Sequence, residues 1–184
     1  MSSISREKFT LKIVVVGNGG VGKSTMIQRL ITGKFIGQKI TIGTDLASFK
    51  LDITDNDGNI YKVTLQLWDF AGEKRFRFFL PRYARGAQGC VLAYDITRYT
   101  SFEDLHEWHQ IISENADSPI YVLCGNKADL ASEKRTVQHS EGEEFQKQYN
   151  IHHFLESSSK SGENNKLIFE TLTRSILKAY RVLK

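Results

Sequence analysis

A glycine-rich run at residues 17–24 has the composition and context of a phosphate-binding loop. It reads GNGGVGKS, follows the apolar stretch Phe9 to Val16, and opens a helical pattern. Glycines let the backbone fold tightly, so successive N–H groups can face an anion, and the positive end of the following helix adds to the attraction. In such a loop Lys23 bridges β- and γ-phosphate oxygens and Ser24 ligates Mg²⁺. The alternative is that the run is a chance glycine turn before a helix. The residues predicted to bind phosphate are Gly17, Asn18, Gly19, Gly20, Val21, Gly22, Lys23, Ser24 and Thr25.

A second motif, Asp69 to Gly72, suits a metal ion and the terminal phosphate. Asp69 ends the strand-like run LQLWD, and nucleotides bind at the carboxyl ends of parallel strands. Its carboxylate can hold Mg²⁺ through water, and Gly72 leaves its backbone N–H free to meet the γ-phosphate. Asp-x-x-Gly alone is a weak signal, but its place at a strand end after the glycine-rich run makes it a strong one.

The run NKAD at residues 126–129 has the chemistry to bind a guanine base. Guanine presents two adjacent donors, and the Asp129 carboxylate can accept from both, whereas adenine inverts the donor pattern and leaves a buried polar pair unmet. Asn126 can tie this loop to the phosphate loop, and the Lys127 stem can cover the ring. The run SSK at 158–160 offers a backbone N–H and a second aliphatic stem. The predicted base-binding residues are Asn126, Lys127, Asp129, Leu130, Ser158, Ser159 and Lys160.

The composition is that of a chain that buries one core. The 184 residues are 40% hydrophobic, and the longest apolar runs fall far short of the roughly 18 residues that a membrane helix needs. The N-terminus shows no signal peptide. The net charge of +4 is mild, and we expect no nucleic-acid partner. Cys90 and Cys124 lie in apolar runs, which predicts two buried, reduced thiols.

Apolar and helical patterns alternate along the chain, which predicts an α/β fold. Strands are predicted near residues 9–16, 46–54, 60–68, 89–94, 120–125 and 152–155, and helices near 22–32, 101–113, 138–149 and 164–182. The turn signal NDGN at 56–59 predicts an antiparallel hairpin at one sheet edge. We therefore expect a P-loop NTPase fold in one domain, residues 1–184. It would have a six-stranded, mostly parallel sheet with one antiparallel edge hairpin and five helices on both faces.

Together these motifs resemble the Ras superfamily of small GTPases over essentially the full chain, and most closely its Rab branch. The supporting segments are TIGTDL at 41–46, LQLWD at 65–69, RYARGA at 82–87 and YDIT at 94–97. The resemblance implies a GTPase with Mg²⁺ that switches between GTP-bound and GDP-bound states and regulates membrane traffic or signalling. It would act in the cytoplasm or at the cytoplasmic face of a membrane. By the same resemblance Thr41 completes the Mg²⁺ shell of Ser24 and Asp69, and Phe35 packs on the guanine edge.

The resemblance also implies partners for a monomeric switch. Switch I (35–46) and switch II (70–85) would be ordered by the γ-phosphate and would meet an exchange factor, a GTPase-activating protein and effectors. Five switch II cations form either a docking face for an acidic regulator or anionic membrane, or a solvated helix face: Lys74, Arg75, Arg77, Arg82 and Arg85. An arginine supplied to the reaction by a partner is favoured over Arg75 or Arg77 acting in cis.

Glu73 departs from the family pattern, in which a glutamine orients the attacking water. A carboxylate cannot donate to the developing phosphoryl charge, and a like charge at about 4 Å costs on the order of 4 kcal/mol at an effective dielectric near 20. Desolvation would, however, raise its pKa and make it a better base. We expect slow hydrolysis, with Glu73, Lys23, Gly72 and Thr41 as the catalytic residues. A GTP-binding interaction module with little hydrolysis is the alternative.

Two further departures concern the switch and the C-terminus. Switch I is one residue shorter than the family pattern between Phe35 and Thr41, so Thr44 is the less favoured alternative to Thr41 as metal ligand. No cysteine follows Cys124, so either the C-terminus is trimmed or the protein attaches to membranes without a prenylated tail. A P-loop kinase of small molecules is another candidate class. It would need a lid insertion, none is visible, and the guanine motif argues against it.

Overall fold

The predicted strands form one sheet in the structure, a computed structural model that describes residues 8–37 and 40–183. Within those residues the strands are β1 (Lys8–Val16), β2 (Thr44–Thr54), β3 (Ile60–Phe70), β4 (Gly89–Asp95), β5 (Ile120–Asn126) and β6 (His153–Ser157). Their order is β2-β3-β1-β4-β5-β6; β2 and β3 are antiparallel, and every other neighbouring pair is parallel. This confirms the predicted sheet with its antiparallel edge hairpin.

Local polar chemistry forms the hairpin turn between β2 and β3. The Asp55 carboxylate accepts hydrogen bonds from the backbone N–H groups of Asp57 and Asn59, at 3.0 and 2.8 Å. Gly58 has a φ of +83°, a conformation that costs glycine little. The turn sets a register that pairs Asp45 of β2 with Asp69 at the carboxyl end of β3.

The described residues contain seven α-helices, four of them ten or more residues long. They are α1 (Lys23–Thr32), α2 (Leu80–Ala84), α3 (Tyr99–Glu103), α4 (Leu105–Asn115), α5 (Ala131–Lys134), α6 (His139–Gln148) and α7 (Asn165–Ala179). Short 3₁₀ segments lie at Lys74–Phe79 and Ala128–Leu130. None of the described helices has the length and apolar character needed to cross a membrane.

Two helix predictions need correction. The helix expected at 101–113 is divided at Asp104, whose carboxylate is engaged by Asn18 of the glycine-rich loop. The last helix ends at Ala179 rather than near Val182. Arg181 takes a left-handed φ of 57°, and the Val182 N–H donates to the Leu177 carbonyl at 2.9 Å. This left-handed turn caps the helix and brings Leu183 into a buried position. The helix therefore ends earlier than predicted.

Helices cover both faces of the sheet, as expected. On β1, Ile13 packs in the cluster under α1 and α7 with Phe169, and Val14 packs in the opposite cluster under α2, α4 and α6 with Trp108. Every residue of β4 is buried, which fits a central parallel strand covered on both sides. The carboxyl ends of the parallel strands therefore open together at one edge, where the predicted motifs lie.

Candidate functional site

A cavity of about 610 Å³ collects the sequence motifs at the carboxyl edge of the sheet. Every residue predicted to bind or to act on a nucleotide lines it except Gly17, Asn18, Val21, Ser158 and Asp69. Ile40 and Phe70 line it as well, although the motifs did not predict them. Ile40 precedes Thr41 and Phe70 follows Asp69 in the chain. Apolar residues beside a motif are too common to indicate that their side chains line a cavity.

The glycine-rich loop is shaped by close backbone approaches. Gly17 has a φ of +143°, and a Cβ there would overlap the carbonyl oxygen of Ala93. Gly22 has a φ of +100°, and a Cβ there would overlap the Asn126 amide. A side chain at either position would therefore push the loop away from β4 or from the NKAD loop.

Lys23 is buried, with 6% of its surface exposed, inside this loop. Its ammonium donates to the backbone carbonyls of Gly17 and Asn18, at 2.8 and 3.0 Å. Burial lowers the pKa of Lys23 to about 8, and the negative charge of Asp69 partly opposes that shift. A buried ammonium with only neutral acceptors is electrostatically prepared for an anion such as phosphate.

Three oxygen-bearing side chains meet beside Lys23. The Ser24 hydroxyl donates to Asp69 Oδ2 and shares a 2.8 Å hydrogen bond with the Thr41 hydroxyl. Asp69 is 5% exposed, and its Oδ1 is buried without a hydrogen-bond partner. Burial raises the pKa of Asp69, with repulsion from Asp45 adding to the shift and the Ser24 hydrogen bond opposing it. An unmet buried carboxylate oxygen among hydroxyls fits a small hard cation, which prefers such oxygen ligands.

The NKAD loop is tied to the glycine-rich loop. Asn126 Nδ2 donates to the buried carbonyl of Val21 at 2.9 Å. Lys127 Nζ donates to Asp95 Oδ2 at 2.6 Å, which stretches the lysine stem along the cavity wall. Asp129 Oδ1 accepts from the Ser158 hydroxyl at 2.6 Å. Ser158 thus contributes from behind the carboxylate rather than from the cavity wall, while Leu130, Ser159 and Lys160 line it directly.

Switch II meets the glycine-rich loop at Gly72. A Cβ on Gly72 would lie 2.6 Å from the Asn18 carbonyl oxygen and nearer still to the Gly19 amide nitrogen, so the two backbones touch. Glu73 follows, with a half-exposed side chain that accepts from Arg75 Nε at 2.7 Å. Phe35 lies across the cavity and is 51% exposed.

The side chain of Asn18 faces away from the cavity, which sequence reasoning did not anticipate. Its Nδ2 donates to Asp104 at 2.8 Å, and its Oδ1 accepts from Trp108 Nε1 at 2.8 Å and Arg77 Nη2 at 3.1 Å. The Arg77 guanidinium lies 4.4 Å from the Trp108 ring centre and also pairs with Glu107. Arg77 is therefore held by a polar and an aromatic partner in this structure, and Trp108 takes part in the same network through its indole N–H.

Arg98, which the motif analysis did not single out, contacts the glycine-rich loop. It follows the carboxyl end of β4, and its Nη2 donates to the Gly19 carbonyl at 2.6 Å. A second cleft of about 320 Å³ is lined by Arg98 together with Gly19, Gly72 and Glu73, which also line the main cavity. The signal in the sequence that could have indicated this contact is the position of Arg98 just after a parallel strand, since residues at the carboxyl edge of the sheet lie near one another.

Comparison with known proteins places the sequence among Ras-related proteins. Residues 12–178 match the model of the Ras family. The chain is 41% identical to Ras-related protein SEC4 of Saccharomyces cerevisiae over 168 residues, covering 90% of this chain and 74% of that protein. It is also 41% identical to human Ras-related protein Rab-30 over 174 residues, covering 93% and 82% of the two chains. Ras-related protein RABE1e of Arabidopsis thaliana is 37% identical over 170 residues, covering 91% and 75%.

Proposed function

Because the chain belongs to the Ras family and, within it, to the Rab branch, we propose that its cavity binds GTP and GDP and that the bound nucleotide sets the state of a molecular switch. The protein is a small GTPase, an enzyme that hydrolyses GTP. One observation above all supports the site proposal: a single cavity is lined both by the buried ammonium of Lys23 and by the carboxylate of Asp129. The first suits phosphate, and the second suits the donor edge of guanine.

The phosphate end of the cavity has a role for each polar group. Lys23 pairs with β- and γ-phosphate oxygens in exchange for the carbonyls of Gly17 and Asn18, and the backbone N–H groups of the loop surround the phosphates. Ser24, Thr41 and Asp69 would hold Mg²⁺, and the unpartnered Asp69 Oδ1 supports this assignment. The ion would neutralise negative charge on the phosphates. Thr41, rather than Thr44, is the switch I ligand, since its hydroxyl contacts Ser24.

The base end reads guanine through Asp129. The Ser158 hydroxyl donates to one oxygen of that carboxylate and so orients it, which leaves both oxygens able to accept from the N1 and N2 donors. Lys127 and Lys160 cover the ring with their stems, Leu130 and Ser159 close the wall, and Phe35 packs at the guanine edge. The hydrogen bond from Asn126 to Val21 keeps the base and phosphate subsites at a constant separation.

Hydrolysis at this site is slow in the absence of a partner, with Glu73 positioning or activating the attacking water and the Gly72 N–H binding the γ-phosphate. The Glu73–Arg75 pair is exposed, and such pairs contribute only about 0–1 kcal/mol, so the carboxylate is easily released to the water. The same ion pair favours the alternative function, a GTP-binding module with little turnover. While Glu73 is paired with Arg75, its carboxylate is not available to the attacking water.

The switch surfaces are where partners would bind. Switch I (35–46) and switch II (70–85) expose apolar side chains, and switch II adds cations; the apolar ones include Ile36, Ile42, Leu46, Phe78 and Phe79. We propose that an exchange factor, a GTPase-activating protein and effectors dock there in membrane traffic or signalling. In this proposal residues 1–184 act as one monomeric domain in the cytoplasm, with peripheral association to a membrane surface.

The base assignment is tested with Asp129→Asn, beside Asp117→Asn at an exposed site as the matched control. We expect GTP affinity to fall on the order of 10⁴-fold in Asp129→Asn, because an acceptor for the guanine N1 and N2 donors is lost. Xanthosine triphosphate should then bind instead, since its 2-carbonyl accepts from the new amide. Unaltered GTP affinity in Asp129→Asn would show that guanine is not read by this carboxylate.

The hydrolysis assignment is tested by single-turnover hydrolysis of Mg·GTP from about pH 5.5 to about pH 8.5. Wild type is compared with Glu73→Gln and with Glu144→Gln at an exposed position of α6. Glu73 is supported as the water-positioning group if wild type hydrolyses GTP at least as fast as Glu73→Gln and if its rate falls at low pH. Negligible wild-type turnover restored by Glu73→Gln supports the binding-module alternative.

A further inference from the structure

The backbone of Arg98 is held firmly, while its side chain lies over the phosphate loop. The Arg98 N–H donates to the Asp95 carbonyl at 3.0 Å, and the Ser101 hydroxyl donates to the Arg98 carbonyl at 2.7 Å. The side chain is solvent-exposed, and its guanidinium donates to the Gly19 carbonyl at 2.6 Å. This places a flexible cationic group on a rigid base next to the phosphate loop.

The guanidinium also lines a smaller cleft that adjoins the main cavity. The smaller cleft contains Arg98 and shares Gly19, Gly72 and Glu73 with the larger cavity. A Cβ built on Gly20 would lie 3.7 Å from Arg98 Nη1, so nothing bulky separates the guanidinium from the loop.

The other arginines near this junction already have anionic or aromatic partners. Arg77 is fastened by Asn18, Glu107 and the Trp108 ring, and Arg75 pairs with Glu73. The hydrogen bond that the structure gives to the Arg98 side chain is to a neutral carbonyl. Charge-assisted bonds to phosphate oxygens are stronger than bonds to a neutral acceptor, so a γ-phosphate competes well for Arg98.

We propose that Arg98 is a catalytic residue of the GTPase reaction and supplies in cis the arginine that other GTPases take from a partner. Its guanidinium turns from the Gly19 carbonyl to γ-phosphate oxygens and neutralises the charge that develops there. It also offsets the extra negative charge of Glu73 beside the reacting group. The inference rests on the proposed function of the cavity.

In this step the oxygen of water forms a bond to the γ-phosphorus, and the bond from that phosphorus to the β–γ bridging oxygen breaks. The bridging electron pair leaves with GDP, and the water proton ends on inorganic phosphate. Arg98 remains protonated throughout. Its contribution is therefore electrostatic and should be largest in the transition state rather than in the GTP complex.

The test is formation of a GDP·Mg·tetrafluoroaluminate complex by the isolated protein, followed by the fluorescence of an N-methylanthraniloyl-labelled GDP. This ligand imitates the planar phosphoryl group, so its capture reports transition-state binding without turnover. We expect capture by wild type and by Arg174→Ala, which removes an exposed arginine of α7 whose guanidinium likewise donates to a backbone carbonyl, that of Thr54 at 2.9 Å. Arg98→Ala should lose capture, and Arg98→Lys should retain part of it.

Single-turnover hydrolysis gives the second readout. We expect Arg98→Ala to be slower by about 20-fold or more, the difference between GTPases with and without an arginine in cis. Its affinities for GDP and for a non-hydrolysable GTP analogue should stay within about twofold, since the group acts in the transition state. If Arg98→Ala captures tetrafluoroaluminate and hydrolyses GTP as wild type does, the inference is wrong while the proposed function stands. If wild type fails to bind GTP, both are wrong.

Discussion

Replacing Gly72 with alanine tests how closely switch II must approach the phosphate loop. The new Cβ would lie 2.6 Å from the Asn18 carbonyl oxygen and nearer still to the Gly19 amide nitrogen, whereas ordinary contacts begin at 3.4 Å. Both opposing atoms belong to backbone, so no side-chain rotation relieves the overlap. Switch II must therefore move away from the loop by about 1 Å or more.

The displacement sets the expected loss of activity. A shift of about 1 Å between reacting groups can cost about 10²-fold in rate, so Gly72→Ala should hydrolyse GTP about 10²-fold more slowly than wild type. GDP affinity should change by less than about threefold, because Lys23 and Asp129 lie on other elements and need not move. The melting temperature should stay close to that of wild type, since the new methyl group does not enter either core cluster.

The assay is single-turnover release of phosphate from Mg·GTP, with GDP binding and thermal unfolding measured on the same preparations. Gly37→Ala is the matched control, because a Cβ on Gly37 meets nothing within 4 Å. Hydrolysis in Gly72→Ala within about threefold of wild type would refute the reasoning, since it would mean that switch II does not press on the loop during the reaction. A large fall in GDP affinity would also refute it, because the damage would then extend beyond the switch.

Three other perturbations have expected outcomes. The Arg135–Glu156 pair is bidentate at 2.7 Å for each bond, so Arg135→Met should lower the free energy of unfolding by about 1–3 kcal/mol in denaturant titration. Although burial opposes the shift, Arg135 holds the pKa of Glu156 below its ordinary value. The resulting stabilisation is present above the pKa of Glu156 in the unfolded chain and is lost as the pH falls through its pKa in the folded protein. The unfolding free energies of wild type and Arg135→Met should therefore become equal in acid. Burial raises the pKa of both thiols, that of Cys124 to about 12, so iodoacetamide at about pH 8 should label Cys90 and Cys124 only after unfolding. Asn126→Ala should speed release of GDP and GTP alike by about 10-fold or more in stopped-flow chase, because it removes the buried link between the two loops.

Much of the fold and of the site could be predicted because the signals are local in sequence. Period-two and continuous apolar runs identified the strands. The turn signal at 56–59 identified the hairpin, and in the structure the Asp55 carboxylate just before it accepts from the N–H groups of Asp57 and Asn59. The GNGGVGKS, Asp-x-x-Gly and NKAD motifs each follow a strand. Parallel strands bring their carboxyl ends to one edge, so their common cavity follows from topology.

The tertiary structure alone decided where the remaining polar side chains point. Asn18 bonds to Asp104 and Trp108 at sequence separations of 86 and 90, and Arg98 bonds to Gly19 at a separation of 79. No periodicity or turn rule extends over such distances, because each contact depends on how helices and loops pack around the finished sheet. The sequence by itself predicted that these motifs meet at one edge of the sheet, where the cavity lies. The packing of α4 and the loop after β4 decided that Asn18 faces away from that cavity, that Arg77 is held, and that Arg98 is the arginine placed over the phosphate loop.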